Sequence, residues 1–242
     1  MTTRLIANID VKNEYVIKGI QLEGLRKIGR PIDIIKKFYE ENIHEIIIHD
    51  TVASYYNRNN LGELLKECFK EIFIPVTIGG GIRNLKDIKN SLNNGADKIM
   101  INSKAIRSPE FLQNACEEYG SSTIISYVEV KKHNGKYYAY FNSGRERSEY
   151  QLDKWFDIIQ NSGCGEILIK SVDFDGTMKG IDEELINFCL PICDKPLIYA
   201  GGCSSEKEIL YFEKKYKTIS LSFASLFYSK NFKLSKKVKS FK

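Results

Sequence analysis

The sequence predicts an α/β chain folded as a single closed (β/α)8 barrel, a TIM barrel, built as a twofold repeat of half-barrels. Three observations predict it. Short β-rich runs alternate with helix-patterned runs along the chain. The length, 242 residues, suits eight such units, since a barrel of this kind takes about 250 residues. Motifs of the first half also recur in the second at a nearly constant offset, as a duplicated half-barrel requires.

The eight strand candidates are Arg4–Ile9, Glu45–His49, Pro75–Ile78, Lys98–Ile101, Thr123–Val128, Glu166–Lys170, Pro196–Tyr199 and Thr218–Leu221. Helical spacing of apolar residues marks 32–42, 61–72, 85–95 and 108–120 between them. Asn93, Asn94 and Gly95 stop one helix and Gly120 another. Ser108 and Pro109 open the helix over 108–120, Ser as N-cap and Pro at the first helical position. Strands separated by helices pair in parallel through crossovers. An open doubly wound sheet would carry one glycine-rich loop at a switch point; here each half has one.

The internal matches are specific. IANIDVK (6–12) parallels ISYVEVK (125–131), which aligns Asp10 with Glu129. TIGGGIRN (77–84) parallels YAGGCSSE (199–206), INSKAI (101–106) parallels FASLFY (223–228), and HDTVAS (49–54) parallels VDFDGT (172–177). One domain over 1–242 follows, with half-barrels of about 1–120 and 121–242. Two segments interrupt the alternation. Asn134-Gly135, between strand-like flanks after strand five, signals a type I′ hairpin. The long segment 18–31 after strand one, with three glycines, is a candidate lid.

Composition narrows the function classes. With 43% hydrophobic residues the chain can bury a large core. No run approaches the roughly 18 apolar residues that cross a bilayer, and the N-terminus lacks an apolar signal-peptide stretch. A soluble cytoplasmic protein with no membrane partner is expected. The net charge of +5 comes from Lys and Arg interleaved with Asp and Glu. That pattern describes solvated helix faces better than a nucleic-acid surface, and a mildly basic protein also suits small phosphorylated ligands. The six cysteines lack CxxC spacing and the three histidines are scattered, so reduced thiols, no metal and no cofactor are expected.

Active sites of such barrels lie at the C-terminal strand ends. Asp10 and Glu129 end strands one and five, on opposite sides of the ring. Facing carboxylates suit a general acid and a general base. The glycines at 79–81 and 201–202 allow backbone N–H groups close to an oxyanion. Asn102-Ser103, Ala224-Ser225 and Asp175-Gly176-Thr177 add donors at neighbouring strand ends. Together they predict two phosphate sites, one per half, and a ligand with a phosphate at each end. At the opposite end, Arg4, Glu45, Lys98 and Glu166 start strands one, two, four and six. By themselves they read as structural ion pairing.

Taken together, IANIDVKNEYVIKG, IHDTVAS, IPVTIGGGIRN, GADKIMINSKAI, GEILIKSVDFDGTMKG and IYAGG resemble the cyclase subunit of imidazole glycerol phosphate synthase over essentially the whole chain. The resemblance implies a lyase of histidine biosynthesis. It would take ammonia from a glutaminase partner, in a heterodimer, through the barrel to a bis-phosphorylated aminoimidazole carboxamide ribonucleotide. Asp10 matches the family's first catalytic aspartate and Lys18 a lysine on the mobile first loop. Gly81, Asn102 and Ser103 match one phosphate site; Asp175, Gly176, Gly202, Ala224 and Ser225 match the other. Asp50 and Ser143 match positions near the substrate. Arg4, Glu45, Lys98 and Glu166 match the ammonia entrance, and Asp97 a position at the partner interface.

Four positions depart from the family pattern. Glu129 replaces an aspartate, Lys170 a small hydroxyl residue, Ala200 a serine and Asn8 a small residue. Lys170 is expected to pair with Glu129 and lower its pKa. The departures motivate a second reading: a diverged paralogue relaying ammonia to a third, adenylating amidotransferase that makes acetamidino sugars of surface glycans. A non-catalytic activator of the glutaminase and the sister isomerase of the pathway are further readings. The isomerase needs no ammonia, so the basal charges argue against it.

Overall fold

The structure is a computed structural model that describes residues 4–53, 66, 70, 72–228, 233–235 and 238. All eight expected strands form, as β1 (Leu5–Lys12), β4 (Glu45–Asp50), β5 (Val76–Gly79), β6 (Lys98–Ile101), β7 (Ile124–His133), β10 (Glu166–Ser171), β11 (Leu197–Ala200) and β12 (Ile219–Phe223). Each pairs in parallel with its neighbours in that order. β12 returns to β1 through Leu5↔Leu221 to Ala7↔Phe223, which closes the barrel. Closure removes the unpaired edges that an open sheet would leave.

The helices between strands are α1 (Pro31–Glu40), α2 (Leu85–Asn93), α3 (Ser103–Arg107), α4 (Glu110–Tyr119), α5 (Leu152–Asn161), α6 (Glu183–Cys189) and α7 (Glu206–Lys215). The expected helix over 61–72 and most of the basic stretch 233–242 lie outside the described residues. Asn84, Asp182 and Ser205 cap α2, α6 and α7, each side chain accepting a backbone N–H of the first turn.

Strand alternation divides the apolar residues into two cores. Leu5, Ala7, Ile9 and Val11 face outward, where Ile35 and Phe38 of α1 and Trp155 and Phe156 of α5 join the same buried cluster. Ile6, Ile47, Met100, Ile125, Tyr127, Leu168, Ile198 and Ala200 form a separate cluster inside the barrel. The interior is thus a packed layer, with polar residues above and below it. No helix among the described residues is long and apolar enough to cross a membrane.

The Asn134-Gly135 hairpin forms as expected. β7 pairs antiparallel with β8 (Lys136–Phe141), and both turn residues have the positive φ of a type I′ turn. β9 (Glu146–Gln151) extends the ribbon. The segment 18–31 departs from expectation. It is no irregular loop but part of a second ribbon, β2 (Tyr15–Ile20) and β3 (Glu23–Gly29), folded back from β1. Its turn falls on Gln21-Leu22, both at positive φ, a pair that carries no glycine signal. β3 is almost wholly exposed and charged, so it lacks the alternation that marks a half-buried strand. Ser108 also departs: its hydroxyl accepts from Lys104 Nζ at 3.0 Å instead of capping α4.

Candidate active site

Alternation points Ile6, Asn8 and Asp10 of β1, and Arg4 just before it, into the barrel, with Asp10 at the C-terminal mouth. There Asp10 and Glu129 line one cavity of about 220 Å³. Lys12, His49, Ser143 and Arg145 line it too, as does Leu22 from the β2–β3 ribbon. The ribbon lies over the mouth. Gln21 N–H donates to Asp175 O at 2.7 Å, and Lys18 Nζ donates to both Asp175 carboxylate oxygens at 2.9 and 2.8 Å.

Lys18 Nζ also lies 3.5 Å from Asp10 Oδ2. Lys170, 2% exposed on β10, completes a circuit: its Nζ is 3.6 Å from Asp10 Oδ1 and 3.8 Å from Asp175 Oδ1. Two buried carboxylates and two buried ammonium groups thus alternate. Burial alone would raise the Asp10 pKa, but Lys170, Lys18 and the His49 ring, with Nδ1 at 3.4 Å, outweigh it. The carboxyl is held well below the usual range. Burial would lower the Lys170 pKa, and Asp10, Asp175 and Glu129 reverse that, so it is raised.

Here the expected Lys170–Glu129 pair is corrected. The two residues are direct neighbours in the β7–β10 register, yet the ammonium leans toward Asp10 and Asp175. Asp10 on β1 and Asp175 on the loop after β10 together attract it more than Glu129 alone. Glu129 Oε2 instead accepts the Gly144 N–H at 2.8 Å. Its pKa is raised, because burial outweighs His49, the Gly144 hydrogen bond and Lys170. Glu129 and Asp10 are therefore pushed in opposite directions.

Two recesses flank this centre. The first-half recess is lined by Gly80, Gly81, Asn102, Ser103, Asp50 and Ser143, with Glu129 at its edge. Asp50 Oδ1 accepts the N–H groups of Val52 and Ala53. Ser103 Oγ accepts the Asn142 N–H, and Ser143 Oγ donates to Thr51 O. The second-half recess is lined by Asp175, Gly176, Gly202, Ala224 and Ser225 together with Lys18 and Lys170. The Asp175 carboxylate serves here as the anchor of Lys18. Glycine is required at both loops: a Cβ on Gly80 would sit 2.1 Å from Asp50 O, and one on Gly202 1.9 Å from Gly180 O.

At the other end of the barrel the four charges close into a ring. Arg4 reaches Glu45 at 2.5 Å and Glu166 at 2.6 Å, and Lys98 reaches Glu166 at 2.8 Å and Glu45 at 3.3 Å. Burial would raise Glu166, but Arg4 and Lys98 lower it below its usual value. Asp97, beside the ring, is exposed and accepts the Val76 N–H at 2.8 Å.

Sequence reasoning missed three contributors to the mouth: His49, Tyr127 and Gly144. His49 pairs in register with Asp10, and Tyr127 meets its ring edge-on with centroids 5.3 Å apart. Strand alternation could have placed His49 and Tyr127. Gly144 reaches Glu129 only because the β8–β9 ribbon folds back. Among the described residues no group of three or more His, Cys, Asp or Glu could hold a metal. The described cysteines are free. Burial raises the thiols of Cys116 and Cys203 to about 12 and that of Cys193 to about 11.

Fold and site define a class: a (β/α)8 barrel with an acid pair and two polar recesses at its mouth and a ring of charge at its base. Within that class the chain belongs to the histidine biosynthesis protein family, whose model matches residues 4–233. Its similarity is to proteins named imidazole glycerol phosphate synthase subunit HisF. One from Lactococcus lactis subsp. cremoris (strain SK11) is 37% identical over 230 residues, covering 94% of this chain and 89% of the relative. One from Legionella pneumophila is 38% identical over 206 residues, covering 85% and 97%. One from Thermococcus onnurineus (strain NA1) is 35% identical over 206 residues, covering 85% and 81%.

Proposed function

We propose that the chain is the cyclase-type subunit of imidazole glycerol phosphate synthase. It would use ammonia delivered through the barrel by a glutaminase subunit to convert a bis-phosphorylated aminoimidazole carboxamide ribonucleotide. The observation that carries this reading is the placement of Asp10 and Glu129 in one cavity between two recesses. A raised pKa suits Glu129 to carry and give a proton; Asp10 is ionised and can accept one, more weakly for the cations that hold it so. In this reading Asp10 accepts a proton as ammonia adds, and Glu129 donates one to the departing nitrogen. The recesses at Gly81-Asn102-Ser103 and Gly176-Gly202-Ser225 hold the two phosphates. Lys18 closes the ribbon over the ligand, and Asp50 and Ser143 border it.

The basal ring of Arg4, Glu45, Lys98 and Glu166 would be the ammonia entrance, with the glutaminase docked on the face that carries Asp97. Purified chain supplied with ammonium salt should turn over the ribonucleotide, and glutamine should replace ammonium once the glutaminase is added. A chain that binds the ribonucleotide but turns over with neither nitrogen source would overturn the proposal.

One observation favours a second reading. Asp10 is engaged by both Lys18 and Lys170, which restrains it as a base. A paralogue that passes ammonia on to a third, amidotransferase enzyme for acetamidino sugars would not need that base. Its mark would be glutaminase activation and ammonia passage with no cyclase turnover.

A further inference from the structure

β10, β11 and β12 place Lys170, Ala200 and Ser222 side by side at one level of the barrel, since Ala200 is in register with both others. All three line the second-half recess. Ala200 contributes only a methyl group, so a hollow opens over it between the longer neighbours. Lys170 Nζ and Ser222 Oγ flank that hollow. The two residues are 2% and 0% exposed, and neither polar atom has a hydrogen-bond partner among the described residues. The carboxylates nearest Lys170, at 3.6 and 3.8 Å, attract it without bonding to it.

A buried ammonium with no hydrogen bond is costly. The Lys170 ammonium and the Ser222 hydroxyl belong to one recess, and both lack an acceptor. The flanking groups set the chemistry of what would supply it. Lys18 donates to Asp175 and lies beside Asp10; Lys170 shares the same two carboxylates only at longer range, so what it lacks is a close acceptor and not a countercharge. The hollow adjoins the loop of Gly201 and Gly202 and the start of the helical turn at Ser225. The recess that contains it, about 20 Å³, admits one or two oxygen-sized atoms.

We propose that Lys170 and Ser222 form an inner anion seat below the glycine loop, which takes oxygens of a phosphate or phosphate monoester. This rests on the reading of the mouth as a phosphate-binding site and adds to it a specificity-determining residue. With Lys170 at its base, the second-half recess holds one phosphate of the ligand on a buried ammonium. Among the described residues the first-half recess has no fully buried lysine; it is lined by the half-buried Lys104 and by the His49 ring. The seat makes the two ends of the mouth unequal despite their repeated loops, and it fixes which way round an asymmetric two-phosphate ligand lies.

The full chain should be titrated calorimetrically with inorganic phosphate, ribose 5-phosphate and ribose at constant ionic strength. Wild type is compared with Lys170→Met, Lys170→Arg, Ser222→Ala and Ser103→Asp. The expected result is two phosphate sites in wild type, filled by phosphate and by the ester but not by ribose. Lys170→Met weakens one site about tenfold or more, as loss of a charged hydrogen bond does. Ser222→Ala weakens the same site severalfold, and Lys170→Arg retains most of its affinity. Ser103→Asp removes the other site and leaves this one. If Lys170→Met and Ser222→Ala leave both affinities unchanged, the inner seat is wrong while the two-recess reading stands. If wild type binds neither phosphate nor ribose 5-phosphate, both are wrong. Should Lys170→Met fail to fold, Ser222→Ala alone decides, because removing one hydroxyl from an otherwise intact wall leaves the charges in place.

Discussion

Shortening Glu129 by one methylene, as Glu129→Asp, tests whether this mouth is built around a glutamate. Glu129 Oε2 accepts the Gly144 N–H at 2.8 Å. Withdrawing the carboxylate by about 1.5 Å, one carbon–carbon bond, stretches that contact past hydrogen-bond range. The N–H of Gly144 is then left unpaired in a buried site, at a cost of about 1–3 kcal/mol. For a domain of this size the melting temperature falls by roughly 2–4 °C per kcal/mol. Catalysis is more sensitive than stability, since a misplacement of about 1 Å costs on the order of 100-fold. The assay is ammonia-dependent turnover of the bis-phosphorylated ribonucleotide, with thermal melting of the same samples. A drop of that order in turnover, with a melting temperature a few degrees lower, is expected. Unchanged or faster turnover would refute the argument, since it would mean that the shorter acid suits the mouth at least as well.

The remaining predictions use the same geometry. Glu129→Gln should stabilise the fold at pH 7–8 and not at pH 3. A carboxyl whose folded pKa is raised contributes its stability below the unfolded value of about 4.3 and loses it as pH rises through the folded value. Melting curves across pH check this, and a constant difference at all pH values would contradict it. Asp10 has the opposite sign: its folded pKa is depressed, so its contribution is present above about pH 3.9 and is lost as pH falls through the folded value. Asp10→Asn should therefore destabilise at pH 7 and matter less in strong acid, as denaturant titrations would read. Lys98→Ala opens the basal ring at two contacts. It should lower glutamine-dependent turnover in the complex more than ammonium-dependent turnover, and equal losses would argue against an entrance there. Gly202→Ala pushes a methyl group to 1.9 Å from Gly180 O at φ +75°. It should cost at least about 1–3 kcal/mol and abolish phosphate binding at the second-half recess in calorimetry.

The eight barrel strands, the Asn134-Gly135 hairpin and the family were legible in the sequence. Period-two alternation, helical spacing and turn chemistry are local properties that each segment carries with it. The pairing of Asp10 with Glu129 was legible too, because a repeat places equivalent residues at equivalent strand ends. The ribbon over the mouth was not: β3 packs almost nothing, and its position is held by Lys18 and Gln21 against Asp175. Nor was the partner of Lys170. Register sets it beside Glu129, but the ammonium sits in the summed field of every carboxylate around the ring, and Asp10 and Asp175 prevail. The same holds for the direction of the Glu129 pKa, which depends on how completely the closed mouth excludes water. Sequence by itself determined which residues of the barrel strands face the mouth, because alternation along a strand decides that locally. Tertiary structure alone decided which of them touch and which keep their protons, because charge interactions and desolvation depend on distances set by barrel closure between residues far apart in the chain.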